Sequence, residues 1–518
     1  MRKLEKEQLN WYESNLPLRE RKKRGLFSTP PALVQAILDA CGYSPEANLA
    51  QVRVLDPACG SGNFLVAAAQ RLVMFSRHNG LSQQEQAALI SRNLWGLDPD
   101  PIACFLAEMQ LRNLLQNAET DLHIHQADAL ALPWKPCVDL FLANPPYLAA
   151  KNNDLSGYQS ARHGQSDSYL LFLNVALQAV RSNGWIGLVL PDPILARNNA
   201  AAARLHLLEK FTIHHLWHLS GVFAAEVGAV VIVAQKNPPQ SHHCISWQRE
   251  RWQAMSKPQL CRPKTVSQAL FLRQPCAEFR YLLSSERGAM IEQLRTRLED
   301  TLNGSPHFAP LQEFLSITRG EELGKESPYL MHNMPSTTFY PVLRGGIDIH
   351  PYSAPQANCW IPREAIKKPL ERYLSPKLLI VKSTGRLQAT LDFRGHIALQ
   401  TLYLLHLHQQ DEGEDSLYFF LALLNSRLLQ DYVYILHTAY KWVQPQIEQH
   451  VLAKLPIPLV SYDERQTIIE RAKLLMDACS KLDPSTESKQ YVDNLYEEQE
   501  RAISILYSSV NLHISRDM

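Results

Sequence analysis

The sequence predicts an α/β protein: a mainly parallel sheet with a hairpin at one edge, followed by a C-terminal α+β domain. From residue 29 to about residue 234, short apolar runs alternate with amphipathic segments of helix length, which is typical of a parallel sheet covered by helices. At Asn237-Pro238-Pro239-Gln240-Ser241 two prolines and small polar residues interrupt this alternation, as they do in linkers. These observations predict a change of domain near residue 240.

The strands are predicted from the apolar runs in chain order. Five short runs are the expected parallel strands, at residues 52–55, 94–97, 122–124, 138–142 and 185–190. Segments of helix length, such as residues 65–78, separate them. Two further runs, 213–219 and 229–234, lie close together in the chain. We therefore expect them to form an antiparallel hairpin that closes one edge of the sheet.

Three regions follow from this pattern. Residues 1–240 are expected to form the first domain, and residues 241–309 a linker and helical connector, because 279–302 is charged and helical in pattern. Residues 310–518 are expected to form the second domain, with shorter strands and turn signals such as Ser383-Thr384-Gly385. From residue 463 onward, Glu, Lys, Leu and Ile recur at helical spacing, which predicts a helical tail.

Composition narrows the class of protein. The chain has 518 residues, of which 46% are hydrophobic and 20% charged, as in an ordinary globular protein with a large core. No apolar run approaches the roughly 20 residues needed to span a bilayer, so we expect a cytoplasmic protein without a membrane partner. Nine cysteines occur without a Cys-x-x-Cys pair, so neither disulfides nor a metal site is expected.

The charge is balanced overall but clustered locally. The formal net charge is +1, which argues neither for nor against a nucleic-acid partner. Residues 1–25 carry eight basic and four acidic side chains, and residues 363–394 carry eight basic and three acidic ones. Each cluster alone is most simply a solvated face, and the alternative is a surface that contacts DNA.

A glycine-containing turn predicts a cofactor site. It follows the first predicted strand and opens a predicted helix, where glycines let the backbone turn sharply and approach a nucleotide-like ligand. No Lys-Ser/Thr pair and no third glycine follow, which disfavours a nucleoside triphosphate and a dinucleotide. The candidate cofactor-binding residues of this turn are Asp56, Pro57, Ala58, Cys59, Gly60 and Gly62.

Two more carboxylates end successive predicted strands. Asp98 follows the second strand and can accept both hydroxyls of a ribose. Asp128 follows the third and can accept from the amino group of a nucleobase. For each aspartate alone, the alternative is a helix N-cap. With Asp56 they make three carboxylates at successive strand ends, which capping explains less well than a ligand site.

The segment Asn144-Pro145-Pro146-Tyr147 follows the fourth predicted strand and is the candidate catalytic segment. Its two prolines stiffen the backbone, which suits a site that holds one amino group in place. If the Asn144 side-chain oxygen and the Pro145 carbonyl accept the two hydrogens of that group, its nitrogen lone pair can face an electrophile. Tyr147 offers a flat face on which a base can stack. The alternative is a Pro-Pro turn beside a core tyrosine.

In this order and spacing, the glycine turn, Asp98, Asp128 and the Asn144 to Tyr147 segment resemble the motifs of the amino-group DNA methyltransferases. The resemblance is greatest to their gamma group, exemplified by the TaqI methylase, in which the cofactor domain precedes the target-recognition domain. It implies the Rossmann-like sheet of class I methyltransferases that use S-adenosylmethionine. It also implies S-adenosylmethionine as methyl donor, no metal, and double-stranded DNA as partner.

The resemblance extends to residues on both sides of these motifs. Phe27-Ser28-Thr29-Pro30-Pro31 is similar to the family's N-terminal motif, so Thr29 would contact the carboxylate of the cofactor's methionine. Phe172 would stack on the cofactor adenine, and Phe223 would enclose the flipped target base against Tyr147. From composition alone both phenylalanines are core residues. Glu226-Val227-Gly228 departs from the family in having little basic character, so no phosphate contact is expected there.

The second half resembles the recognition domain of TaqI-like enzymes, mainly between residues 316 and 459. In that light the basic cluster at residues 363–394 is expected to face the DNA backbone, with Lys382 and Arg386 as the residues that reach the duplex.

The resemblance implies a site-specific adenine-N6 methyltransferase that acts as the modification component of a restriction-modification or phage-defence system. A separate restriction enzyme or other defence-system subunits would then be further partners. Four alternatives stay open: an RNA, protein-glutamine or cytosine-N4 methyltransferase, and a non-catalytic DNA-binding subunit. Serine at position 144 would be more typical of a cytosine-N4 enzyme.

Overall fold

The structure is a computed structural model. It describes residues 27–512 except 117–118, 149–154, 156, 159–166, 224–226, 253–263, 302–306, 325–326, 334–337, 409–412, 444 and 482–485. The chain divides into two compact units. The first comprises Met1–Ser284 with Tyr440–Val443, and the second Ser285–Ala439 with Gln444–Met518.

A nine-stranded sheet is the centre of the first unit, and the predicted α/β class is confirmed. In chain order its strands are β1 (Val54–Asp56), β2 (Leu94–Asp98), β3 (His123–Gln126), β4 (Val138–Ala143), β5 (Val180–Pro191), β6 (Thr212–Ser220), β7 (Ala229–Gln235), β8 (Cys244–Arg251) and β9 (Lys264–Ser267). Their order across the sheet is β3-β2-β1-β4-β5-β7-β6-β8-β9. Strands β1 to β5 pair in parallel, so their carboxyl ends meet along one edge of the sheet.

The hairpin of β6 and β7 was predicted to close the sheet, and the structure corrects this. Strand β7 lies between β5 and β6 and is antiparallel to both. Strand β8 then pairs in parallel with β6, and β9 pairs antiparallel with β8. Ile245 and Trp247 of β8 are buried, so an alternating strand follows the two prolines that suggested a linker. Part of the region predicted as a linker therefore belongs to the sheet.

Helices of the first unit connect these strands. They are α1 (Pro31–Ala40), α2 (Asn63–His78), α3 (Gln83–Asn93), α4 (Pro101–Leu114), α5 (Ser168–Ala179), α6 (Ala201–Lys210) and the short α7 (Gln268–Leu272). Leu33, Leu65 and Leu72 have no exposed surface and lie in the apolar core beside the sheet. In the part of the chain that is described, no helix is both long and apolar enough to cross a membrane.

The second unit contains short strands and longer C-terminal helices, as its turn-rich sequence predicts. Its strands are β10 (Phe308–Pro310), β11 (Leu315–Arg319), β12 (Phe339–Leu343), β13 (Cys359–Pro362), β14 (Lys377–Val381), β15 (Ala389–Asp392), β16 (Ile397–Ala398), β17 (Leu402–Leu407) and β18 (Pro456–Pro458). Its helices are α8 (Glu286–Thr301), α9 (Glu371–Leu374), α10 (Ser416–Asn425), α11 (Arg427–Val433), α12 (Gln449–Ala453), α13 (Tyr462–Ser480) and α14 (Thr486–Leu512).

The largest sheet of the second unit has four strands in the order β11-β17-β14-β15. Strand β14 is buried along its whole length, because it lies between β17 and β15. The helical tail predicted after residue 463 is present as α13 and α14. Helix α13 begins at a capping box, in which the Ser461 hydroxyl accepts from the Glu464 amide and the Glu464 carboxylate accepts from the Ser461 amide.

Candidate active site

A cavity of about 900 Å³ lies at the carboxyl ends of the parallel strands in the first unit. Most of the predicted site residues line it: Thr29, Asp56, Pro57, Ala58, Cys59, Gly60, Asp98, Asp128, Asn144, Pro146 and Phe172. Of the predicted residues in the first unit, four lie outside its described wall: Gly62, Pro145, Tyr147 and Phe223. The parallel sheet thus brings together segments that are far apart in the chain, because the ends of β1 to β4 share one edge.

The glycine turn after β1 has the backbone that only small residues adopt easily. Gly60 has φ 52° and Gly62 has φ 94°. A Cβ atom on Gly62 would lie 3.0 Å from the Cβ of Ala107 on α4. Gly62 therefore both permits the left-handed turn and lets α2 begin close against α4. Although Gly62 does not line the cavity, it shapes the turn that does.

Asp98 braces this turn from the end of β2. One carboxylate oxygen accepts from the Gly60 amide at 2.9 Å, and the other accepts from the Asp100 amide at 2.9 Å. The side chain is buried, and burial raises the pKa of Asp98. Helix α4 is capped by Asp100 and not by Asp98, so the N-cap alternative is wrong for Asp98.

Asp56 is the most buried of the three carboxylates, at 1% exposure. Its Oδ1 accepts from the Ala58 amide at 3.1 Å. Burial is the main cause that raises the pKa of Asp56 to about 8, and the negative charge of Asp98 adds to it. Near neutral pH the Asp56 carboxyl is thus largely protonated and can donate as well as accept a hydrogen bond.

Asp128 is a cap, as the alternative predicted, and its side chain also lies in the wall of the cavity. Its Oδ1 accepts from the Leu130 amide at 2.9 Å and so caps the 3₁₀ turn Ala129–Ala131. Its Oδ2 accepts from the Tyr158 hydroxyl at 2.7 Å, and both side chains line the cavity. This hydrogen bond is the main cause that raises the pKa of Tyr158 to about 12. Sequence analysis missed Tyr158, because no motif or strand end marks it.

The strip that precedes α1 forms another wall. Thr29 is 3% exposed. The Asn63 side chain, at the first residue of α2, donates to the Ser28 hydroxyl at 2.7 Å and to the Thr29 carbonyl at 3.3 Å. Phe172 of α5 is buried and lies in the wall of the same cavity. Thr29 and Phe172 therefore lie in the wall of the same cavity as the three aspartates.

The side-chain nitrogen of Asn144 has a hydrogen-bond partner, whereas its side-chain oxygen has none among the described residues. Its Nδ2 donates to the carbonyl of Phe27 at 2.5 Å. Its Oδ1 is buried and has no hydrogen-bond partner among the described residues. A buried acceptor without a partner costs about 1–3 kcal/mol. Other buried side-chain atoms of the described residues also lack a partner, such as the Tyr43 hydroxyl, but Asn144 is the one among these residues that lines the cavity. Asn144 is therefore arranged to accept a hydrogen bond at the cavity wall.

Ser168, the first residue of α5, holds the segment that follows Asn144. Its hydroxyl donates to the Pro146 carbonyl and accepts from the Leu148 amide at 2.9 Å, and its own amide donates to the Leu148 carbonyl at 3.0 Å. Ser168 is 1% exposed. Sequence analysis missed it as well, because a serine at a helix start ordinarily indicates a cap.

The two aromatic residues predicted to enclose a base lie in contact. The ring centroids of Tyr147 and Phe223 are 6.0 Å apart, and the rings meet edge to face at 79°. The Tyr147 hydroxyl donates to the Val189 carbonyl at 3.3 Å. Phe223 is 8% exposed and packs in the main core of the first unit. In this structure Phe223 is thus a core residue, as the alternative predicted. Phe27 contacts both rings, and its carbonyl accepts a hydrogen bond from Asn144.

Lys382 and Arg386 lie in the second unit, in the loop from β14 to β15. Arg386 is exposed and forms an ion pair with Asp431 at 3.5 Å, and its guanidinium stacks 4.4 Å from the Tyr434 ring centre. Lys382 is partly exposed. By contrast Lys377, from the same basic cluster, is fully buried against Asp392. The cluster is therefore not one continuous basic face.

Comparison with protein families identifies both parts of the chain. The N-6 DNA Methylase family matches residues 11–257. The TaqI-like C-terminal specificity domain matches residues 340–457. The two matches occur in the order that the sequence motifs predicted.

Individual relatives are bacterial modification enzymes. The Type II methyltransferase M.VspI from Vibrio sp. is 22% identical over 57% of this chain and 66% of its own length. M.PaeR7I from Pseudomonas aeruginosa is 27% identical over 36% of this chain and 35% of its own length. The chain therefore spans less than two thirds of these relatives. M.TthHB8I from Thermus thermophilus is 22% identical over 85% of this chain and 92% of its own length.

Solved structures agree with the fold. The Type IIL restriction-modification enzyme MmeI, solved in complex with DNA, superposes with a TM-score of 0.55 at 14% identity. The match covers 92% of this chain and 74% of that one. At this identity the likeness concerns the fold alone.

Proposed function

We propose that this chain, which belongs to the N-6 DNA methylase family and carries a TaqI-like specificity domain, transfers a methyl group from S-adenosylmethionine to the N6 amino group of adenine in double-stranded DNA. The observation that carries the proposal is the unpartnered, buried Oδ1 of Asn144 in the wall of the cavity. The relatives named as Type II methyltransferases support it.

The cavity suits S-adenosylmethionine in size and in chemistry. A volume of about 900 Å³ is within the range of pockets for ligands of this size. Asp98 would accept from the ribose hydroxyls and Asp128 from the adenine amino group, while Phe172 would stack on the adenine. Thr29 would contact the methionine end. The bound cofactor would supply an electrophilic methyl group on its sulfonium sulfur.

The residues around Asn144 would prepare the acceptor. The adenine amino nitrogen is a weak nucleophile because its lone pair is delocalised into the ring. Asn144 Oδ1 and the Pro145 carbonyl would accept its two hydrogens and free the lone pair for attack on the methyl carbon. One N–C bond forms, one S–C bond breaks, and one amino proton is released to solvent. Positioning and fixed dipoles supply the rate enhancement.

The substrate would be duplex DNA, because the target amino group must leave the base stack to reach Asn144, at a cost of a few kcal/mol. The specificity domain would choose the site, with Lys382 and Arg386 contacting phosphates. We infer a role in modification within a restriction-modification or phage-defence system, in the cytoplasm where cellular DNA is accessible. A restriction enzyme or another defence-system subunit would be the partner.

The test is transfer of a labelled methyl group from S-adenosylmethionine to DNA, RNA or protein, followed by identification of the methylated base. We expect 6-methyladenine in DNA. Asn144→Ala should abolish transfer and keep cofactor binding by calorimetry, whereas Asn198→Ala, an exposed asparagine, should behave as wild type. Full activity of Asn144→Ala, or preferential methylation of RNA or protein, would refute the proposal.

A further inference from the structure

Under the proposed function a target base would enter between Tyr147 and Phe223, and in this structure the Phe27 ring lies against both residues. The Phe27 ring lies 5.7 Å from Tyr147 and 5.3 Å from Phe223, centroid to centroid. A base enclosed by two rings must lie about 3.5 Å from each face, so the rings must be parallel and about 7 Å apart. Tyr147 and Phe223 are 6.0 Å apart and nearly perpendicular. No space for a base remains among the three rings.

We propose that Phe27 is a positioning residue that couples the cofactor cavity to this base pocket: it fills the pocket until the cofactor binds, and cofactor binding moves it aside. The inference rests on the proposed function and concerns the order of events at the same site. It is carried by two further contacts of Phe27 and its neighbours.

The first contact joins Phe27 to the catalytic amide. The Phe27 carbonyl accepts from Asn144 Nδ2, which fixes the amide with Oδ1 turned away as the free acceptor. The main chain of Phe27 thus orients Asn144, while its side chain occupies the position that the aromatic part of the substrate needs. Both effects act at one residue, 117 positions from Asn144 in the chain.

The second contact joins Phe27 to the cofactor. Phe27, Ser28 and Thr29 are consecutive and all line the cavity. Asn63 holds Ser28 and Thr29 against the start of α2, directly after the glycine turn. A ligand in the cavity would contact this strip, and a main-chain shift of the strip would move the Phe27 ring. Residues 27–29 therefore connect the occupancy of one site to the shape of the other.

The expected consequence is ordered binding. Extruding a base from the duplex costs a few kcal/mol. If Phe27 blocks the pocket, the enzyme extrudes the base only when the methyl donor is bound. The open pocket is the minor state without cofactor and the major state with it. Removing the Phe27 ring should make the open state available without cofactor.

The target adenine is first identified by sequencing DNA that the active enzyme has methylated. The experiment then uses the full chain and a duplex in which 2-aminopurine replaces this adenine. This base fluoresces more strongly when it leaves the stack. For wild type we expect the signal to rise on adding S-adenosylhomocysteine, the demethylated cofactor. For Phe27→Ala we expect a high signal without it, a rise of about 10-fold in the cofactor-free open population.

Phe75→Ala is the matched control, because Phe75 is a buried phenylalanine of the same core but lies outside the described cavity wall. It should keep the cofactor dependence of wild type. Phe27→Leu serves if Phe27→Ala does not fold, and should give an intermediate signal. Calorimetry should show that each variant binds the cofactor.

Two results would overturn the coupling: a wild-type signal that is the same with and without S-adenosylhomocysteine, or a folded Phe27→Ala or Phe27→Leu variant that depends on cofactor as wild type does. Both require an enzyme that methylates DNA. Absence of DNA methylation by wild type would instead overturn the proposed function itself, so the two failures are distinguishable.

Discussion

Two buried polar groups of this protein show different uses of a buried polar side chain. Asn144 Oδ1 in the first unit is open. In the second unit Lys377, Asp392 and His396 satisfy one another: Lys377 Nζ lies 2.6 Å from one oxygen of Asp392, and His396 Nδ1 lies 2.8 Å from the other. The first arrangement indicates a site, and the second indicates stabilisation of strands β14 and β15.

Removing the negative charge of this buried group should be strongly destabilising. Asp392→Asn would leave Lys377, which has no exposed surface, without its counter-charge. The expected loss in free energy of unfolding is about 3–5 kcal/mol, measured by urea denaturation. Adding Lys377→Met to Asp392→Asn should recover part of the loss, because it removes the buried ammonium that Asp392→Asn leaves without a counter-charge. A double variant less stable than the single one would contradict this account.

The same carboxylate predicts a dependence of stability on acid. Burial alone would raise the pKa of Asp392, but the hydrogen bond from His396 and the charge of Lys377 outweigh it and lower the pKa to about 2. A lowered folded-state pKa stabilises above the unfolded value of about 3.9 and ceases to do so as the pH falls towards 2. Between pH 4 and pH 2, wild type should lose about 2 kcal/mol more than Asp392→Asn. Parallel curves for the two proteins would show that the pair is not ionised as described.

At the scale of elements, hydrogen bonds join the start of α5 to the candidate catalytic segment. The hydroxyl and amide of Ser168 bond to the main chain of Pro146 and Leu148. Ser168 also lies in the wall of the cavity, but its hydroxyl proton is used in the bond to Pro146. The helix thus acts as a fixed support for the residues after β4. Rigid support of this kind is what keeps a reacting group within a fraction of an ångström of its productive position.

Ser168→Ala should therefore lower kcat and leave the cofactor Kd close to that of wild type. Displacement of a reacting group by about 1 Å can cost about 100-fold in rate, so a fall in kcat of about 10- to 100-fold is expected. Ser168→Thr keeps the hydroxyl and should recover activity. Ser182→Ala, at an exposed serine of β5, is the matched control. A fall in cofactor affinity with unchanged kcat would assign Ser168 to the cofactor site instead.

At the scale of the whole molecule, burial decides which basic residues can meet DNA. In the sequence alone, residues 363–394 form one mainly basic stretch. In the structure Lys377 is buried, the Lys368 ammonium donates to the carbonyls of Arg319 and Gly320, and Arg386 is half exposed beside Asp431. Arg386 and Lys382 keep the surface that a phosphate contact needs.

Arg386→Ala should weaken DNA binding at every sequence to a similar extent. Each lost phosphate contact reduces the slope of log affinity against log salt by about 1. Titrations of DNA at several salt concentrations measure this slope. Lys481→Ala removes an exposed cation of the second unit that pairs with Asp477 and should leave the slope unchanged. An unchanged slope for Arg386→Ala would exclude Arg386 from the DNA contact.

Much of the fold and of the candidate site could be predicted because the signals are local in the chain. A polar residue stands at or just after the end of these parallel strands, as β2 ends at Asp98 and Asn144 follows β4, and parallel pairing brings the strand ends to one edge. The sequence was less informative about β8 and β9, because Pro238 and Pro239 carry the same signal in a linker and in a loop between strands.

The sequence by itself therefore determined the α/β class, the order of the motifs and the residue types of the cavity. Only the tertiary structure decided how Phe27 meets Asn144, how Ser168 and Tyr158 hold Pro146 and Asp128, and that Lys377 is buried. These contacts join residues far apart in the chain, and no periodicity or spacing records them. Their physical basis is the packing of separate elements, which fixes burial and hydrogen-bond partners only once the chain has folded.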